Sequence, residues 1–127
     1  MTALDDEWTI ERHLRAGTPA SIALYERFSD IVHGFGPIRI AVSKSMITFK
    51  GSRRGFAGAK PRGDVLVGYL DLMEPLPTEE RIRSAAAFSS KLFVHNWRIE
   101  REEQLDDTFV GWLRDAYAVG CGAHVGT

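Results

Sequence analysis

Two groups of side chains in this 127-residue chain have the types and spacing to do chemistry. The first is His95, set between Phe93 and Trp97 at alternate positions of a strand-like segment, 91–100. Imidazole titrates near neutrality, so an accessible histidine here could act as a general base or hold a ligand. The same histidine inside an aromatic cluster could equally be half-buried, with its nitrogens hydrogen-bonded. The second group is a run of cations. Residues 31–63 contain Arg39, Lys44, Lys50, Arg53, Arg54, Lys60 and Arg62 and no acid, while the flanking regions are net acidic. A basic block inside a chain of net charge −1 creates a local positive field that attracts anions. Lys44 beside Ser45 could bind an anion or activate the hydroxyl, or could simply be a solvated hairpin. Arg53 and Arg54 fall in one expected hairpin tip, and Lys60 and Arg62 bracket Pro61 at its other end. Nucleic-acid binding through these charges would need aromatic platforms, and only Phe49 and Phe56 interleave with them.

The standard catalytic signatures are missing from the sequence. Gly51, Gly55 and Gly58 lie in a hairpin rather than between a strand and a helix, so they are turn glycines and not a phosphate loop. No paired-cysteine or His-Glu-x-x-His motif occurs, and His13, His33, His95 and His124 are scattered. No metal site and no cofactor are therefore expected. No Gly-x-Ser-x-Gly elbow is present, and no carboxylate stands two residues before a lysine. Cys121 is the lone cysteine, which points to a reducing, cytoplasmic setting. The N-terminus, with Asp5, Asp6 and Glu7, lacks the apolar core of a signal peptide. No apolar run approaches the roughly 18 residues of a membrane span.

These residues must be positioned by a modest set of elements. Asp5 or Asp6 can cap a short first helix carrying Trp8, Thr9, Ile10 and Leu14, ended by Gly17. Thr18 and Pro19 start a second helix. Its apolar stripe runs through Ile22, Leu24, Tyr25, Phe28, Ile31, Val32 and Phe35. Strands are expected over 38–42, 45–50, 56–60 and 65–72, with glycine and proline punctuating an antiparallel meander. On the second of these strands, Ile47 and Phe49 form the apolar face, which turns Lys50 away from the helices. Residues 79–88 could form a helical turn or a strand, and the alanines after Thr78 favour the helix. Phe93, His95, Trp97 and Ile99 share one face of the next strand. A last helix starts at Asp106, carries Phe109, Leu113, Ala116 and Tyr117 inward, and closes at Gly120. The order implies one α+β domain in two layers. An antiparallel meander of about five to six strands packs against N-terminal helices and a C-terminal helix. Residues 1–17 form an N-terminal helix and arm, 18–120 the core, and 121–127 a flexible tail.

The ordered pieces carry a resemblance. Leu24 and Tyr25, then Ser43-Lys44-Ser45-Met46-Ile47-Thr48-Phe49, resemble the bacterial domain-of-unknown-function family numbered 5655, whose pattern reads Thr-Lys-Ser-x-Ile-x-Phe. Arg54-Gly55-Phe56-Ala57 and Lys60-Pro61-Arg62 continue the match. So do His95 four residues before Ile99, Asp106-Asp107, and the run from Trp112 to Tyr117. Phe93 stands where an aromatic, often tryptophan, is expected, and 85–91 departs from the pattern. A fainter likeness to YdhG-type small α+β proteins extends only to element order. The resemblance implies a small α+β domain that occurs alone or appended to larger bacterial proteins, with no established activity.

Lys44, Ser45, Arg54, Lys60 and His95 thus emerge as candidate ligand-binding residues, with Phe56 or Trp97 as a wall. The preferred expectation is a non-enzymatic binding module for an anionic small molecule or an anionic group on a partner protein. A nucleic-acid accessory domain is the alternative, and a small enzyme using His95 as general base a further one. No membrane contact is expected, and the chain is expected as a monomer or homodimer.

Overall fold

The computed structural model describes residues 7–125. The chain is an α+β domain whose six strands form one open antiparallel sheet in the order β1-β2-β3-β4-β6-β5. The strands are β1 (Arg39–Val42), β2 (Ile47–Lys50), β3 (Gly55–Arg62), β4 (Val65–Leu72), β5 (Ile82–Ala87) and β6 (Phe93–Ile99). Helices α1 (Ile10–Leu14) and α2 (Pro19–His33) precede the sheet and α3 (Asp107–Gly120) follows it. The meander holds through β4. The chain then passes to the far edge, runs as β5, and returns as β6 between β5 and β4.

Local chemistry explains the helix boundaries. Thr18 and Ser21 form a reciprocal capping box at the start of α2, with Pro19 where its missing N–H costs nothing. Asp106 caps α3 by accepting the Phe109 N–H at 3.0 Å. The start of α1 differs from expectation. Thr9 is its cap, with its hydroxyl accepting the Arg12 N–H at 3.1 Å, and the helix begins at Ile10. Asp5 and Asp6 lie outside the described residues. Of the expected tail, residues 121–125 are described and include a 3-10 turn over Ala123–Val125.

Residues 79–88, open between helix and strand with the helix favoured, contain the edge strand β5. Its alanines do favour a helix locally, but the stretch between Pro77 and Ser89 is too short for an isolated helix to persist. Pairing with β6, from Ile82 opposite Trp97 to Ala87 opposite Phe93, satisfies its backbone instead. Tertiary pairing overrides propensity here.

One face of the sheet is covered by α2 and α3, and the core lies between. Phe28 of α2 sits against Phe49 at 5.4 Å and Trp97 at 5.2 Å between ring centroids, and Trp97 meets Phe109 of α3 at 5.5 Å. Trp97 can lie flat on the sheet because its cross-strand partner is Gly68. A Cβ on Gly68 would stand 2.5 Å from the indole and 1.9 Å from the Gly58 carbonyl oxygen. A bulge between Phe49 and Lys50 opposes two residues to one step, so Phe56 and Ala57 both turn inward and both are fully buried. The opposite face, with Thr48, Lys60, Val67, Tyr69, Asn96 and Arg98, is partly or wholly exposed. No helix among the described residues is long and apolar enough to cross a membrane.

Candidate functional site

The five residues singled out in the sequence do not form one pocket. They fall in three places: β3 carries Lys60 six residues from Arg54, roughly 20 Å of extended chain, and His95 lies on β6.

Lys44 and Lys60 do come together. They line a cleft of about 340 Å³ with Arg62, His13 and Trp8. Three segments build it. Ser43 to Met46 is the tight turn joining β1 to β2, closed by the Ser43 N–H donating to the Met46 carbonyl at 2.9 Å. Gly63 opens the β3–β4 turn with φ +61°, a conformation that glycine adopts without strain. The third segment is α1, whose buried His13 donates through Nε2 to the Ser43 carbonyl at 2.7 Å. Trp8 stacks obliquely on that imidazole at 4.7 Å. The link between α1 and α2 is tied down by a bridge from Gly17 to Gly63. Pro61 fits in β3 because β2 begins opposite Ala59, so no ladder bond is lost at the proline. None of Lys44, Lys60 and Arg62 has a carboxylate within ion-pair distance among the described residues. Ser45 stays on the turn outside the cleft, its hydroxyl 3.3 Å from that of Ser43.

Arg54 lies at the other end of the sheet, where the Arg53 and Arg54 N–H groups bond the Gly120 carbonyl at the end of α3. Its guanidinium donates to Asp71 Oδ2 at 2.9 Å. Asp71 is buried on β4, and burial pushes its carboxyl up to about 6 despite the arginine alongside. Arg54 therefore compensates a buried acid and does not join the lysines.

His95 faces the core and is fully buried. Its Nε2 accepts the Leu76 N–H at 2.9 Å, so the imidazole is neutral with its proton on Nδ1. Burial holds its pKa below the ordinary histidine value, with the Leu70 and Phe93 backbone opposing this weakly. In this arrangement the nitrogen that would act as a base is already occupied. Phe56, expected as a wall, and Phe49 are also fully buried and offer no stacking platform.

Two important polar residues were not read as site-builders in the sequence. His13 occupies a position on the apolar stripe of α1, beside Ile10 and Leu14, and that misfit was the available signal. Arg81 was hidden by the helical reading of its segment. It bonds Glu79 at 3.0 Å, Asp106 at 2.7 Å and the Gln104 carbonyl at 3.0 Å, and it stacks on Trp112 at 4.8 Å. It thereby pins the β4–β5 connection to the start of α3. Among the described residues, no group of three or more His, Cys, Asp or Glu could hold a metal ion.

One open antiparallel sheet with helices before and after it makes the chain an α+β domain. The family model described as "Domain of unknown function (DUF5655)" matches residues 10–120, and the chain belongs to that family. No curated protein and no solved structure gives a significant match.

Proposed function

We propose that the domain is a binding module for an anionic small molecule, or an anionic group on a partner, and that the cleft of Lys44, Lys60 and Arg62 takes it. The observation that carries this reading is the convergence of three cations without acidic partners on one concave surface. Its position is fixed by the His13–Ser43 bond. Unpaired cations crowded together repel one another, and an anion between them relieves that repulsion. The cleft volume suits a phosphate-bearing small molecule better than a duplex, and Trp8 and His13 are the aromatic rings among its described lining residues.

The test is titration of the full chain with inorganic phosphate and pyrophosphate at low salt, followed by calorimetry. Lys44→Ala and Lys60→Ala should each weaken binding about ten-fold, one lost charge contact apiece. Arg54→Ala should leave it unchanged. Equal affinity in wild type and both lysine variants overturns the reading. Tight binding of short DNA that collapses steeply with salt, with none of phosphate, replaces it with the nucleic-acid alternative.

A further inference from the structure

A second concavity has the opposite character. Between α3 and the chain leaving β4 lies a groove of about 510 Å³, within the range of small-molecule sites, about 300–1,000 Å³. Leu72, Leu76, Trp112 and Val119 give it an apolar lining, and Met73, 47% exposed, stands at its mouth. The charged residues lining it are Glu74 and Asp115, both exposed and both without an ion-pair partner among the described residues. Arg81 lies over the ring of Trp112, one of the lining residues, and its charge is already engaged by Glu79 and Asp106.

The wall of this groove is held rather than loose. The buried imidazole of His95 accepts the Leu76 N–H, so a histidine from the middle of β6 fixes a loop residue that lines the groove. On the other side Arg81 ties the same connection to the start of α3 and braces Trp112. An imidazole buried at the cost of its charge, and a three-partner arginine, both serve to hold one loop against one helix.

We propose that this groove binds a small organic cation with an apolar body, an aryl or alkyl amine. The body lies against Leu72, Leu76 and Trp112, and the ammonium meets Glu74 and Asp115. Apolar lining sets affinity, and the two carboxylates set the sign of charge admitted. His95 is a positioning residue: it touches Leu76 and not the ligand. The groove shares no lining residue with the basic cleft, so this proposal stands or falls apart from the anion reading.

Three probes of matched shape test it on the full chain: 2-phenylethylamine, 2-phenylethanol and 3-phenylpropionate. Binding is followed by calorimetry and by the NMR signals of the Trp112 indole and the Met73 methyl. The amine should bind saturably and move both signals, with the alcohol about ten-fold weaker and the carboxylate weaker still. The double variant Glu74→Gln, Asp115→Asn should fold normally and bind the amine no better than the alcohol. Equal affinity for all three probes, no binding of any, shifts confined to other residues, or an unchanged amine affinity in the double variant would each overturn it.

Discussion

The basic cleft and the acidic-rimmed groove occupy the same small domain and are built in opposite ways. The cleft draws its three cations from one acid-free stretch of chain, and two tight turns and a short helix bring them together, with the His13–Ser43 bond joining residues 30 apart. The groove is made from distant parts: the loop after β4, the middle of β6 through His95, and the body of α3. The cleft is polar and needs its two turns held near one another and near α1, which the buried His13 does through the Ser43 carbonyl. The groove is apolar, and its shape depends on side chains that bridge elements 19 and 25 residues apart, His95 to Leu76 and Arg81 to Asp106. The cleft's charge is continuous in sequence, and its shape rests on one buried anchor, His13. A site assembled by buried polar anchors is sensitive to each one.

That contrast can be broken or sharpened by substitution. The largest effect should come from Trp97→Ala, since Trp97 packs on Phe28 of α2, Phe109 of α3 and the Gly68 backbone. A loss of about 3–5 kcal/mol in urea unfolding is expected, with both sites failing together. His95→Phe separates the two sites. It leaves the Leu76 N–H without its acceptor at a cost of about 1–3 kcal/mol. Amine binding in the groove should fall while phosphate binding in the cleft is kept. Loss of both, or of neither, would show that the anchor does not discriminate them.

The pH dependence of stability sharpens the picture further. His95 has a folded pKa below its unfolded value of 6.5, so the unfolded chain binds more protons in acid. Its contribution is therefore present above about 6.5 and lost as pH falls. Asp71 runs the other way. Its folded pKa of about 6 exceeds the unfolded 3.8, so its contribution is present at low pH and lost as pH rises between the two. Urea midpoints measured from pH 4 to 8 should show Asp71→Asn removing the loss on the alkaline-going side. An unaltered profile in that variant would exclude Asp71 as its source. The smallest stability effect belongs to the cleft. Lys60→Ala should change stability by no more than about 0.5 kcal/mol while weakening phosphate binding, because surface charge without a partner contributes little to the fold.

Much of the fold was legible in the sequence because its signals are local. Thr18 with Pro19, the Asp106 cap, and the alternation that turned Ile47, Phe49, His95 and Trp97 inward all follow from chemistry within a few residues. For the edge strand β5 the local signals favoured the wrong one of two readings, because its alanines carry no strand signal of their own and its pairing partner is β6. The Thr9 cap was missed because Asp5 and Asp6 are equally good capping residues by type.

For the candidate sites the division follows the same physical line. Charge and turn propensity are properties of residues and their immediate neighbours, so a cationic, acid-free stretch on turns and strands was readable from the chain alone. The sequence also marked His95 as unusual. Only the tertiary structure decided which cations meet. It put Lys44 with Lys60 and Arg62, and sent Arg54 to the far end of β3 to neutralise the buried Asp71. Only the tertiary structure turned His95 from a candidate base into an acceptor for the Leu76 N–H. Burial, and the partner that burial makes necessary, are set by elements far apart in the chain, and no local pattern encodes them.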